Sequence, residues 1–446
     1  MNYKKKYAIS ITLILLILIL GILFLNINLT KHKSNSNIKS INEEKSSKNK
    51  ILKTSYYSSL RLNVKQYGAI GDGHHDDWKA IQLALNRVKS NGGGTVYIPN
   101  GKYIVTHALR IYSNTYLKLA KDAIIVRKDD GTVVINGEVN GQYTGYNGQG
   151  NILIEGGIFL MNDSSNPKPG TAFGIARANG LVIRNVKVLN IVNSHGIDLN
   201  SSKNVVIENC KFMGFKDTTN NKSRGYAEAV QIANHTKIGF SILGVYDGTP
   251  CENVKVSHCI FGNNSKDGFG SWGVGIGDHS LGVIGKYNRH IQITKNTFLD
   301  CSFSGIHINS YKDTEITGNR FEECEHSIFV FTPSETYTSK GIINDKMQVG
   351  EDIYINKNQF INTQKENILI SGNIIKNNEK RYSKIKINNN NFISTNRKIK
   401  NNIPNIKLEL CQGLLIRDNY FKGTTYNIQL LNSDESRVLN NKLLSS

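Results

Sequence analysis

The chain has 446 residues, of which 39% are hydrophobic and 20% charged, with 40 Gly against 6 Pro, a balance that excludes a disordered polymer. No Gly-X-Y period or sustained heptad runs through it, which excludes collagen-like and coiled-coil folds, and length alone admits either several domains or one repeat fold. The net charge is +20, and ten Lys against two Glu in residues 1–60 leave +12 on the rest, an excess suited to polyanions such as acidic polysaccharide, cell-wall polymer or nucleic acid.

Lys4, Lys5 and Lys6 precede an uncharged run from Ala8 to Leu25 that is almost entirely Ile and Leu. As a helix it would be about 27 Å long, enough to cross a hydrocarbon core. The basic cluster predicts a cytoplasmic N-terminus over residues 1–7 and a transmembrane signal anchor over 8–29. Neither a small-x-small site nor a lipid-accepting Cys follows, so an uncleaved anchor is expected ahead of a cleaved signal peptide and a secreted product. Residues 30–55, rich in Lys, Ser and Asn, read as a solvated tether. Residues 56–446 would then stand outside the cytoplasm, held to the cell membrane by a single pass. Six Cys in so long a chain do not make a disulfide scaffold, and the absence of a CxxC pair argues against a zinc ribbon.

Residues 62–126 read as a capping segment. Trp78, Ile81, Leu83, Ala84 and Val88 keep helical spacing after Asp76 and Asp77, which suit an N-cap and first turn. Gly92, Gly93 and Gly94 end the helix, and strand alternation restarts at Thr95. From residue 150 to 446 one phrase recurs, apolar-x-apolar-x-x-(Asn/Cys)-x-aromatic. Its ends are Phe159, Val188, Phe212, Phe261, Phe298, Phe321, Phe360, Phe392, Phe421 and Leu443. The shortest spacings are 22 to 24 residues; longer ones add a loop, or hide a unit in the 49-residue interval before Phe261. A short alternating unit with fixed turn residues is the signature of a solenoid. The residue two before each later end is Cys210, Cys259, Asn296, Asn319, Asn358, Asn390, Asn419 and Asn441. In a parallel β-helix these side chains stack into a ladder along the axis, beside an interior column of aromatics. Cys301 and Cys324 would stack one turn apart, as buried thiols or, outside the cell, as a bridge. A leucine-rich repeat needs its own Leu spacing and a helix-forming half, and neither is present. The expected fold is therefore all-β, a parallel β-helix with a short N-terminal capping helix, preceded by one transmembrane helix.

The capping segment resembles that of the pectate-lyase-like superfamily of right-handed parallel β-helix proteins. The resemblance lies at Tyr67-Gly68-Ala69, Gly71-Asp72-Gly73, Asp76-Asp77, Ala80-Ile81-Gln82 and Gly92-Gly93-Gly94-Thr95-Val96. It implies a right-handed coil and carbohydrate chemistry, because the superfamily includes polygalacturonases, polysaccharide lyases, alginate epimerases and phage tail-spike depolymerases. It does not fix a reaction. The polygalacturonase set is absent as a set, and so is the Asp-Pro-His motif of the alginate epimerases; Asp76-Asp77 belongs to the capping helix. A lyase of this kind would admit Ca²⁺, but no acidic cluster stands out, and no metal or cofactor is expected. The tail-spike relatives allow a trimer as well as a monomer. A polysaccharide partner is expected rather than nucleic acid.

A second strand of the unit aligns residues 195–202, 228–235, 272–279, 304–311 and 326–333. Its apolar positions alternate inward, which turns Asp198, Gln231, Gly275, His307 and Phe329 outward. Beside them run Asn200, Ala233, Gly277 and Asn309, then Ser202, His235, His279 and Tyr311. Regular parity would turn Glu228 and His195 inward. Such a row of polar, aromatic and titratable groups suits a glycan groove, walled by the long turns 213–227 and 240–252. Hydrolysis of a glycosidic bond needs two carboxyl groups, for which Asp198, Glu228 and Asp278 are candidates. Elimination from a uronate needs a base and a neutralising cation. His307, His279, His235 or Tyr311 could act as the base or acid, with Lys286 or Arg289 as the cation. The catalytic expectation is Asp198, Glu228, Asp278, His307 and His279. Substrate contacts are expected from Asn200, Gln231, His235, Trp272, Arg289, Asn309 and Tyr311, with Trp272 either a sugar platform or a core residue. No P-loop, GxSxG, HExxH or EF-hand motif is present. The function expected is a membrane-anchored extracytoplasmic glycoside hydrolase acting on cell-surface or exopolysaccharide. Its alternatives are a lyase or C5 epimerase on an acidic glycan, and a non-catalytic glycan-binding surface protein.

Overall fold

The computed structural model describes residues 59–444 apart from 164–166, 339–340, 345, 396–402 and 425–427. The expected cytoplasmic tail, signal anchor and tether over residues 1–55 lie outside these. Among the described residues no helix is long and apolar enough to cross a membrane. Each inner repeat lays one strand in each of three sheets, as in Glu252–Ser257, Ile260–Gly262 and Val274–Gly277, before the next rung begins at Arg289–Thr294. The first and second sheets have 13 strands each and the third has 11. Neighbouring rungs pair in parallel and in register, for example Val254↔Ile291 and Ile291↔Thr314. Two antiparallel hairpins, Glu335–Thr338 with Gly341–Asn344 and Asn373–Ile375 with Asn378–Lys380, are additions to this coil. The architecture is thus a three-sheet parallel β-helix.

The recurring phrase explains why the rungs stay in register. Asn296, Asn319, Asn358, Asn390, Asn419 and Asn441 form one ladder, in which each Oδ1 accepts the backbone N–H of the ladder residue one rung earlier, at 2.9–3.0 Å. The Nδ2 groups donate to strand carbonyls, as Asn358 does to Ile316 at 2.9 Å. These amides satisfy turn groups that would otherwise be buried without partners. Beside the ladder, Phe212, Phe261, Phe298, Phe321, Phe360, Phe392 and Phe421 stack with ring centroids 4.7–5.2 Å apart. Each ring is buried, a gain on the order of 1.5–3 kcal/mol per side chain. The 49-residue interval hides no unit: Phe212 pairs directly with Phe261, so its extra length is loop. All six cysteines are free and buried.

The capping helix is Trp78–Ser90, and it buries Ile81, Ala84, Leu85 and Val88. Leu83, expected in the apolar stripe, is 45% exposed, because the stripe follows Leu85 at the i+4 position from Ile81. Asp77 does not cap the helix with its side chain. Its two carboxylate oxygens accept the N–H groups of Ile70 and Gly71, at 2.5 and 3.1 Å, which ties down the preceding turn. Asp76 takes the helix N–H of Trp78 instead, at 3.1 Å.

Candidate functional site

The third sheet positions the expected residues, with one change of register. Asp198 pairs with Gln231, as alignment of the strands predicts. Gln231 then pairs with Gly277, and Gly277 with His307. The strand Val274–Gly277 therefore sits two residues away from its expected alignment, and Gly277 takes the place assigned to Gly275. Phe packing is the reason. A Cβ at Gly275 would lie 2.4 Å from the Phe298 ring, just as one at Gly305 would lie 2.6 Å from Phe321 and one at Gly196 2.8 Å from Phe212. Small residues have to share that row. Because this row also turns inward, parity breaks at the start of the strand, and His195 and Glu228 are not lost in the apolar interior. They join a polar cluster.

Glu228 is the centre of that cluster and is fully buried. Both its carboxylate oxygens contact Nδ1 of His279, at 2.8 and 2.9 Å. His195 Nδ1 lies 3.4 Å from Glu228 Oε2 and donates to the Glu228 carbonyl at 3.1 Å. The Arg224 guanidinium reaches His195 Nε2 at 3.3 Å, so His195 accepts there and carries its proton on Nδ1. Burial alone would raise the Glu228 carboxyl, but the His279 and His195 rings outweigh it and hold the carboxyl below its ordinary value. Burial opposes protonation of His279 too, yet the Glu228 carboxylate lifts it above its ordinary value. Burial brings His195 down to about 4. On the neighbouring strand Asp198 accepts Asn200 Nδ2 at 2.7 Å; burial, reinforced by the Glu228 charge and only partly offset by Asn200, pushes Asp198 up to about 7. Asp278, fully buried, is also pushed up to about 7 by burial. One of its oxygens takes the Ser280 N–H at 2.8 Å and the other has no partner among the described residues.

Next to these groups lies an aromatic platform. The His307 ring stacks on Phe331 with centroids 4.7 Å apart, meets Phe303 edge-on at 5.1 Å and tilts against Phe329 at 5.2 Å. Burial holds His307 at about 4, and its Nδ1 has no hydrogen-bond partner among the described residues. Gln231 Oε1 and Asn200 Oδ1 are buried and unpartnered in the same way. Asn309 is spent on structure, donating to the carbonyls of Asp278 and Ser280 at 3.2 and 2.7 Å.

Several expected contacts are not brought here. Trp272 is fully buried, stacks on Phe215 and donates to the Phe212 carbonyl at 3.1 Å, so it is a core residue. Tyr311 is also interior, with its hydroxyl on the Ile232 carbonyl. Arg289 belongs to the first sheet, where it pairs with Glu252 at 3.2 Å. His235 is enclosed beside Tyr246 and Phe240, and Lys286 donates to the Asp247 carbonyl. The cation near Glu228 is Arg224, and the exposed aromatic is Tyr226, whose ring meets His279 edge-on at 5.2 Å. Both stand in the turn expected to wall the cleft, directly before Glu228, and that adjacency was the available signal. Among the described residues no group of three or more His, Cys, Asp or Glu is arranged to hold a metal ion.

Comparison with known proteins agrees with this architecture. The family described as rhamnogalacturonase A/epimerase, pectate lyase-like, matches residues 61–350. Plasmin and fibronectin-binding protein A of Streptococcus pneumoniae is 31% identical over 317 residues, which are 65% of this chain and 43% of that protein. A mannuronan C5-epimerase of Azotobacter vinelandii is 40% identical over 93 residues, 19% of this chain and 5% of the epimerase. The crystal structure of PfbA, a surface adhesin of Streptococcus pneumoniae, superposes with a TM-score of 0.75 at 25% identity, covering 86% of this chain and 91% of that one. The chain spans less than half the length of the curated relatives it matches.

Proposed function

The chain belongs to the rhamnogalacturonase A/epimerase, pectate lyase-like family, and from that premise we propose that it is an extracytoplasmic enzyme, anchored through residues 8–29, that hydrolyses a cell-surface or exopolysaccharide. The observation that carries this reading is a pair of buried carboxyl groups on neighbouring strands in opposite settings, Glu228 against the His279 ring at 2.8 and 2.9 Å and Asp198 beside the Asn200 amide at 2.7 Å. Asp198 keeps its proton up to about 7 while Glu228 is held ionised, and two groups driven apart in this way make an acid and a base. Asp198 gives its proton to the glycosidic oxygen as the bond breaks. Glu228 is too deeply buried to touch substrate, so it works through His279, whose side chain is 22% exposed. With its Nδ1–H held by Glu228, His279 takes a proton from water at Nε2, and the hydroxide adds to the anomeric carbon. The platform of Phe303, Phe329 and Phe331 would carry the apolar face of a sugar ring.

Arg224 favours a second reading. A cation beside an activated His279 is also what elimination or C5 epimerisation of a uronate requires, since it neutralises the carboxylate next to the carbon that loses its proton. Binding without turnover is the third reading, and likeness to a surface adhesin supports it. Replacing Asp198→Asn and Glu228→Gln separates enzyme from binder. For an enzyme, turnover of a cleaved polysaccharide falls about 10²-fold or more with each, while affinity changes little. Turnover that survives both substitutions would remove these residues from the chemistry.

A further inference from the structure

Away from the third sheet, a hollow of about 440 Å³ opens on the outer face of the first sheet. It crosses the strands Lys312–Thr317, Glu351–Asn356, Tyr382–Asn388 and Cys411–Arg417. Ile353, Ile355, Ile385 and Ile387 fill the interior, so the alternating Tyr354 and Lys386 face outward and stand side by side in register. Asn388 and Arg417 pair one step along. The charges in the hollow are unequal. Its two carboxylates are already engaged, Asp352 by Lys384 at 3.4 Å and Asp313 by His290. Among the described residues Lys386 has no ion-pair partner, and Arg417 reaches only the adjacent Asp418, at 3.6 Å. Between these cations Asn388 is only 4% exposed, and its Oδ1 has no hydrogen-bond partner among the described residues. That buried acceptor calls for a donor.

We propose that this hollow is a second carbohydrate site, which takes an acidic sugar residue of a polysaccharide. A uronate meets each requirement at once. Its carboxylate suits Lys386 and Arg417, its apolar ring face suits Tyr354, and a hydroxyl donates to Asn388. An inorganic anion offers neither the ring face nor the hydroxyl array. The site lies on a different sheet from Glu228, so it holds polymer independently of whatever the third sheet does to it. Two attachment points on one chain raise the effective concentration of polymer at each.

Calorimetric titration of the full chain with sodium oligogalacturonate, and with an uncharged oligosaccharide of equal length, tests the proposal. Asp198→Asn and Arg224→Gln are introduced first, to stop turnover and weaken the third-sheet cluster. Binding of the acidic oligosaccharide should persist. Adding Lys386→Glu and Arg417→Glu should then weaken it by about tenfold or more, and Tyr354→Ala should weaken it with no change of charge. These three side chains are on the surface, so their loss leaves the core untouched. The proposal is overturned if acidic binding vanishes with the first pair of changes, if the second pair leaves it unaltered, or if the neutral oligosaccharide binds equally well.

Discussion

Glu228 is held below its ordinary value in a fully buried position because imidazoles face it, His279 foremost, then His195 and His307, and that dependence runs both ways. Glu228→Gln should bring His279 down from its raised value, since burial and Arg224 would then be opposed only by the weaker influence of Asp278. An NMR titration of the His279 ring checks this, and an unmoved midpoint would contradict the ion pair. Asp198 carries the opposite sign. A carboxyl raised to about 7 in the folded chain favours folding while it is protonated, and that advantage is lost as pH rises from the ordinary carboxyl value through about 7. Asp198→Asn removes the cost, so the variant should match the wild type in acid and become more stable above about pH 7. Thermal unfolding across that range tests the sign. A constant difference between the two proteins would show that Asp198 does not titrate there.

At the scale of the element, the rung is held by an amide and a ring. Asn358 accepts the Asn319 N–H at 2.9 Å and donates to the Ile316 carbonyl at 2.9 Å. Asn358→Ala would strand both buried groups, at a cost of about 1–3 kcal/mol each. Phe321→Ala would open a cavity in the column at about 3–5 kcal/mol. Denaturant melts should therefore move to lower midpoints for both, and a ladder variant as stable as wild type would deny the ladder its role. This layer was legible in the sequence, because Asn and Phe recur at one spacing and a buried Asn side chain can satisfy the turn amide of the neighbouring rung. The register of the third sheet was legible only in part. Its strands carry no ladder residue, so apolar alternation alone matched Val274 to Ile197 and was out by two. Gly196, Gly275 and Gly305 held the missing information, as positions where an interior ring leaves no space for a Cβ. Tyr311 was misplaced and Trp272 left open between platform and core for the same reason, since a short alternating strand cannot say which side of its bend a large ring takes.

At the scale of the molecule, the β-helix is a rigid support, and its chemistry comes from what interrupts it. The rung from Phe212 to Phe261 carries the long turns that deliver Arg224 and Tyr226 to the cluster. Periodicity can mark such turns as insertions, but it cannot direct their side chains, which is why Arg224 was missed and Arg289 preferred. All five expected catalytic groups come together, with His279 in contact with Glu228, and with Asp198, Asp278 and His307 within reach of the Glu228 charge, through coupling that only the folded chain expresses. Incubating the full chain with acidic and neutral polysaccharides, while following new reducing ends and the ultraviolet absorbance of unsaturated uronates, tests the central claim most directly. Hydrolysis by Asp198 and the Glu228–His279 pair predicts reducing ends without absorbance, abolished by Asp198→Asn. Reducing ends that arise together with absorbance would contradict it and make the reaction an elimination.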